Sequence, residues 1–132
     1  MRIEGLTPIL NVSSLKESFS WFEKLGWQKH WDWGDPPSFG AVISGKCEIF
    51  LCQDCQGARS TAKSRPAGDN EGVWMSWWLE SPQAVDDFHR LAIAQGAAVI
   101  TAPADMPWNV REFELRHPDG HTFRVSAGIP EK

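Results

Sequence analysis

Tyrosine is absent from the sequence, and no stretch approaches the roughly 18 consecutive apolar residues of a membrane-spanning helix. Positive charge is in the minority. Thirteen Lys and Arg stand against 17 Asp and Glu, for a formal net charge of −4. Phosphate binding needs a basic face, so no nucleic-acid partner is expected. No glycine-rich loop opens a helix in the way that cradles phosphate, and no Ser/His/Asp or Cys/His arrangement suggests a nucleophile. Cysteine is scarce, at three residues. The odd count, and no secretory apolar segment after Met1-Arg2-Ile3-Glu4-Gly5, predict reduced thiols in a cytoplasm. Cys52-x-x-Cys55 has a zinc-like spacing, but a structural zinc takes four ligands and no second pair exists. The pair reads instead as a strand-end Cys52 and a loop Cys55.

What the chain does have is tryptophan, eight in 132 residues. That length supports one domain with a real core. The pattern repeats internally. A strand at residues 3–12 leads to Ser13-Ser14, a helix cap with Glu17 three residues past Ser14. Leu15, Phe19, Phe22 and Leu25 form one helical face, and Gly26 ends it. Strands follow at 27–33, 39–44 and 47–52. In the strand at 27–33, Trp27, Lys29, Trp31 and Trp33 alternate onto one face. Residues 54–71 read as a connecting loop. The order then begins again: a strand at 73–79, Ser81-Pro82 opening a helix, and Gly96 closing it. A strand at 97–101 follows, and a final hairpin runs from Arg111 to Ser126. The expected architecture is α+β with a paired-module sheet: two βαβββ modules, about 1–53 and 72–128, within a single domain 1–132.

The hairpin is the most specific segment. Residues 111–116 alternate polar and apolar, the period of a half-buried strand. Phe113 and Leu115 should point inward together. Pro118-Asp119-Gly120 supplies turn chemistry, and the flanking His117 and His121 are expected to be solvated. Pro107-Trp108-x-x-Arg111-Glu112-Phe113, joined to His117-Pro118-Asp119-Gly120, resembles the closing hairpin of the vicinal oxygen chelate superfamily. The likeness is to its glyoxalase and bleomycin-resistance branch. Relatives often carry glycine at Asn109-Val110.

The resemblance implies that the two modules form a curved mixed sheet around a cleft, commonly completed in a homodimer, and in many members a divalent metal held by His or Glu. The matching positions here are Thr7, Phe50 (with Glu48 on the same face), Trp74 and Arg124. At most one carboxylate is present, and an arginine opposes a cation, so no metal and no cofactor are expected. In the antibiotic-binding branch the groove is lined at positions that fall here on Trp31, Trp33, Phe39, Cys52 and Trp108. Trp77 and Trp78 are adjacent, so they face opposite ways, and Trp74 and Ser76 share the face of Trp78. Glu48, Glu112, Asp32 and Asp35 could make the groove's rim negative. Arg111 is expected near the cleft, pairing a carboxylate or carbonyls. The resulting expectation is a non-enzymatic, cytoplasmic, metal-free homodimer without a membrane partner. It would sequester a small, partly aromatic ligand, cationic ones included, among Trp31, Trp33, Phe39, Glu48, Phe50, Cys52, Trp74, Ser76, Trp78, Trp108, Arg111 and Arg124. The alternative is a glyoxalase-like or dioxygenase-like metalloenzyme with an atypical metal site.

Overall fold

A computed structural model describes residues 1–60 and 72–131. Residues 61–71, most of the expected connecting loop, lie outside the described residues. The chain forms two compact units, Met1–Arg59 and Ser60–Lys132. In the first, β1 (Ile9–Val12) leads into α1 (Leu15–Lys24), then β2 (Gln28–Gly34), β3 (Pro37–Ser44) and β4 (Cys47–Gln53). In the second, β5 (Trp74–Trp78) leads into α2 (Pro82–Ala94), then β6 (Ala98–Asp105), β7 (Val110–Arg116) and β8 (Thr122–Gly128). Each unit holds one four-stranded mixed sheet, in the orders β1-β4-β3-β2 and β5-β8-β7-β6. The parallel pairs are β1 with β4 and β5 with β8. The two βαβββ modules of the repeat thus share one topology.

Local chemistry accounts for the boundaries. Ser14 and Ser81 are extended N-caps whose hydroxyls accept the N–H groups of Glu17 and Ala84, both at 3.1 Å, satisfying helix-end donors that would otherwise be orphaned. Gly26 and Gly96 follow the helices with φ of +92° and +75°, the left-handed exit that glycine adopts without strain. Leu15, Phe19 and Phe22 of α1 are buried with Leu10, Val12, Val42, Ile49 and Leu51 of the first sheet, each contributing roughly 1.5–3 kcal/mol of burial. Gly40 is required there, because a Cβ would sit 2.6 Å from Phe19 Cζ. In the second sheet, Phe113, Leu115, Phe123 and Val125 are fully buried with Val85 and Ala92 of α2. Phe113 and Leu115 therefore do point inward together.

Four details differ from expectation. β1 is shorter than residues 3–12, beginning only at Ile9; it pairs with β4 from Ile9↔Phe50 onward. The alternation in β2 is broken. Lys29 is opposite Val42 but Trp31 is opposite Ala41, so His30 is an extra, bulged residue. The bulge leaves Lys29 on the helix side, its ammonium 5.0 Å from the Phe19 ring, and turns Trp31 and Trp33 to the other side. Cys52 and Cys55 are bonded in a disulfide, leaving Cys47 free and exposed. The turn after β4, with Asp54 at φ +55°, brings the two Cα atoms to 5.7 Å, within bridging range. The expectation of three reduced thiols is overturned.

The fourth is the final turn. His117 and His121 are buried, not solvated. His117 Nδ1 accepts the Asp119 N–H at 3.0 Å, and His121 Nδ1 accepts the Val73 N–H at 3.0 Å. The Asp119 carbonyl accepts from Ser60 N–H at 2.8 Å. Gly120, at φ +87°, lies so close that a Cβ would run into Ser60. The turn is thus covered by the segments at Ser60 and Val73. Burial first, and His121 second, lower the His117 pKa to about 3, against a smaller opposing pull from Asp119.

Candidate functional site

Each helix covers one face of its sheet, and the site residues are read from the other. On the second sheet, Trp74, Ser76 and Trp78 are in register with Thr122, Arg124 and Ser126. Those in turn are opposite Arg116, Glu114 and Glu112. The period of two places all nine on the uncovered face. At its centre, Arg124 grips Glu112: Nε donates to Oε2 at 3.2 Å, and Nη2 donates to Oε1 and Oε2 at 3.1 and 3.0 Å. The Ser126 hydroxyl donates to the same carboxylate at 2.9 Å. Glu112 is buried beneath this clamp, while the Arg124 side chain is 37% exposed.

Trp108 stands at the edge of this triad. It lies in the turn between β6 and β7, where Asn109 N–H donates to the Met106 carbonyl at 3.0 Å. Asn109 has φ +65°, a left-handed conformation that asparagine tolerates better than most residues. Asparagine thereby fills the position where the resemblance led one to expect glycine. The indole centroid is 5.6 Å from Arg124 Cζ, a cation–π distance. Trp74, Trp78 and Trp108 are 45%, 66% and 54% exposed. Trp77, on the opposite face of β5, is buried and stacks on Phe123 at 4.3 Å.

The first sheet has its own uncovered face. Ile9, Trp31, Ala41 and Phe50 lie in register across it, as do Asn11, Trp33, Phe39 and Cys52. Trp31, Phe39 and Phe50 form a triangle of ring contacts at 5.4–5.5 Å. Trp33 projects beyond it, 71% exposed. Cys52 is buried and bonded to Cys55. Glu48 is on this face but is engaged by His30, Nδ1 to Oε2 at 2.7 Å.

Two acid or base positions fall elsewhere than expected. Arg111 has the parity of Phe113 and Leu115 and stands on the helix-covered face. Its Nε donates to Asp86 of α2 at 2.9 Å and its Nη1 to Asp105 at 3.1 Å. It does pair carboxylates, but it is not on the open face. Asp32 is opposite Gly40, on the helix side, and bonds Lys29. Glu112, expected only as a negative charge at the groove's rim, and Ser126, not expected at the site, belong instead to the polar centre.

A family model described as the Glyoxalase/Bleomycin resistance protein/Dioxygenase superfamily matches residues 3–125. The chain belongs to this superfamily. Among solved structures it is similar to a glyoxalase/bleomycin resistance protein/dioxygenase from Nocardioides, at 22% identity and TM-score 0.74, covering 100% of this chain and 87% of that one. It is also similar to a bleomycin-binding protein complexed with bleomycin, at 14% identity and TM-score 0.71, covering 96% and 99%. A third is the bleomycin resistance determinant encoded on the transposon Tn5, at 15% identity and TM-score 0.69, covering 96% and 98%. Likeness at these identities shows the fold alone. No curated protein matches the sequence.

The superfamily implies a metal in many of its members, and the donor set here does not fit one. In the second module the matching positions carry Trp74, which has no ligand atom, and Arg124, a cation committed to Glu112. Glu112 itself is saturated by Arg124 and Ser126. In the first module they carry Thr7 and Phe50, with Glu48 turned to His30. Among the described residues, no three His, Cys, Asp or Glu side chains converge in a way that could hold a metal ion. No helix among them is long and apolar enough to cross a membrane.

Proposed function

We propose that this superfamily member is a binding protein of the bleomycin-resistance type, which sequesters a small, partly aromatic ligand on its tryptophan-lined sheet faces without catalysis. The observation that carries this reading is the uncovered face of the second sheet. There Trp74, Trp78 and Trp108 are all substantially exposed around a hydrogen-bonded polar centre. Indole exposed on a rigid strand or turn is a stacking anchor with little rotamer entropy left to lose. The superfamily membership and the likeness to bleomycin-binding folds support the same reading. The half-buried Trp31/Phe39/Phe50 triangle and Trp33 supply comparable rings on the first sheet. So much exposed indole is a liability on a free monomer, and a twofold homodimer covering part of it, with the groove between subunits, completes the proposal.

The test is a fluorescence titration with bleomycin and with planar aromatic probes, on the intact protein and on Trp108→Ala. Saturable quenching of intrinsic fluorescence is expected, with one or two ligands per dimer and a solution mass near twice 14.8 kDa. Removing Trp108 should weaken binding by about tenfold or more, since stacking on one aromatic side chain contributes roughly 1–3 kcal/mol. No saturable quenching with any probe would refute the binding role. Unchanged affinity in the variant would remove Trp108 from the site and leave Trp31 and Trp33.

A further inference from the structure

The charges on the open face of the second sheet are unequally available. Glu112 is buried and takes four hydrogen bonds, three from Arg124 and one from Ser126. Its negative charge is spent internally. Arg124 donates to Glu112 through Nε and Nη2 only, which leaves Nη1 on the outer edge of a 37% exposed side chain. Trp108 lies against the guanidinium, and Ser76, exposed, is its cross-strand neighbour. Arg116 sits on the same face, with Nε on Thr122 Oγ1 and Nη2 buried without a hydrogen-bond partner. A guanidinium fixed on one edge by a buried carboxylate is a pre-oriented donor for a second acceptor on the other. Glu114, opposite Arg124 in register, is the competing acid on that face among the described residues; of the other acids expected at a negative rim, Glu48 is engaged by His30 and Asp32 by Lys29, while Asp35 is exposed.

We infer that the ligand carries an anionic head, a carboxylate or an equivalent planar oxyanion, which docks on the free edge of Arg124 while its aromatic body stacks on Trp108, Trp74 or Trp78. This rests on the binding role proposed above and narrows it: the selected charge is negative. It also gives a use to an arginine where many superfamily members place a metal ligand. The guanidinium supplies, as a hydrogen-bonding cation, the positive pole that a metal supplies elsewhere in the fold.

The experiment is a calorimetric titration with three probes sharing one ring: 2-naphthoate, 2-naphthamide and 2-naphthylmethylammonium. The carboxylate should bind roughly tenfold or more tighter than the amide, the size of one charge-assisted hydrogen bond, and the ammonium weakest. In the paired variant Arg124→Gln/Glu112→Gln, which leaves no buried charge uncompensated, carboxylate and amide should bind within about twofold of each other. Equal affinities for all three probes in the wild type would overturn the anionic head and leave the aromatic groove standing. Tightest binding of the ammonium would assign the selectivity to Glu114 and overturn it too. Absence of binding by every probe would sink both this inference and the binding role. The wild-type series decides the matter even if the paired variant does not fold.

Discussion

Acid should loosen the second module before its carboxylates titrate, and His117 is the reason. The ring is buried, and its pKa falls from 6.5 to about 3, chiefly through loss of solvation. A base whose folded pKa lies below its unfolded value is neutral in the fold and charged in the open chain. Its contribution to stability is intact above about pH 6.5 and is lost as pH falls towards 3, because the unfolded state binds the extra proton. One pKa unit corresponds to about 1.36 kcal/mol, so lowering the pH from 6.5 to 4.5 should cost about 2–3 kcal/mol. For a domain of this size that is roughly 8–12 °C of melting temperature. The window follows from the direction of the His117 shift, and the part of the slope that a variant without that ring loses is the part that His117 contributes. His117→Asn is the control. It can keep an acceptor for the Asp119 N–H, now made by Nδ1 at 3.0 Å, and it cannot titrate. Thermal melts at pH 7.5, 6.5, 5.5 and 4.5 should show a falling wild type and a much flatter variant. A wild type that is flat over this window, or a variant with an equal slope, would refute the reasoning.

Phe113 is fully buried and sits 5.2 Å from the His89 ring and 6.3 Å from Phe88; Phe113→Ala should cost about 3–5 kcal/mol in denaturant unfolding, and a wild-type melt would contradict its place in the core. Arg111 holds Asp86 and Asp105 on the helix-covered face. Arg111→Met should lower stability by about 1–2 kcal/mol, as for a partly exposed pair with two hydrogen bonds, and leave probe affinity unchanged; weakened binding at unchanged stability would return Arg111 to the site.

The two-module order was legible because its punctuation is local. Ser14, Ser81, Gly26 and Gly96 mark helix ends by chemistry that needs only a few neighbouring residues. The alternation of β7 and β8 was also local, and it separates the open face from the helix-covered one. Arg111 has the odd parity of Phe113 and Leu115, so the strand period alone sends it to the helix. Glu112 has the opposite parity, and Ser126 shares that of Arg124, so the same rule gathers the clamp. What was not legible depends on partners distant in sequence. The bulge at His30 exists only relative to β3, where Val42 and Ala41 are consecutive partners of Lys29 and Trp31. Before pairing is known, residues 27–33 look like one uninterrupted alternation, which is why Lys29 and Trp31 were grouped. His117 and His121 flank an ordinary-looking turn. The groups that close over that turn, Ser60 N–H on the Asp119 carbonyl and Val73 N–H on His121, come from residues 59 and 48 positions earlier in the sequence. Charge availability was hidden for the same reason. Glu48, Asp32 and Glu112 are bare carboxylates in the sequence, and the cross-strand or bulge geometry assigns each its hydrogen-bonding partner. On the second sheet the negative charge expected of Glu112 is therefore, once pairing is known, held beneath Arg124, the fixed donor that this face presents.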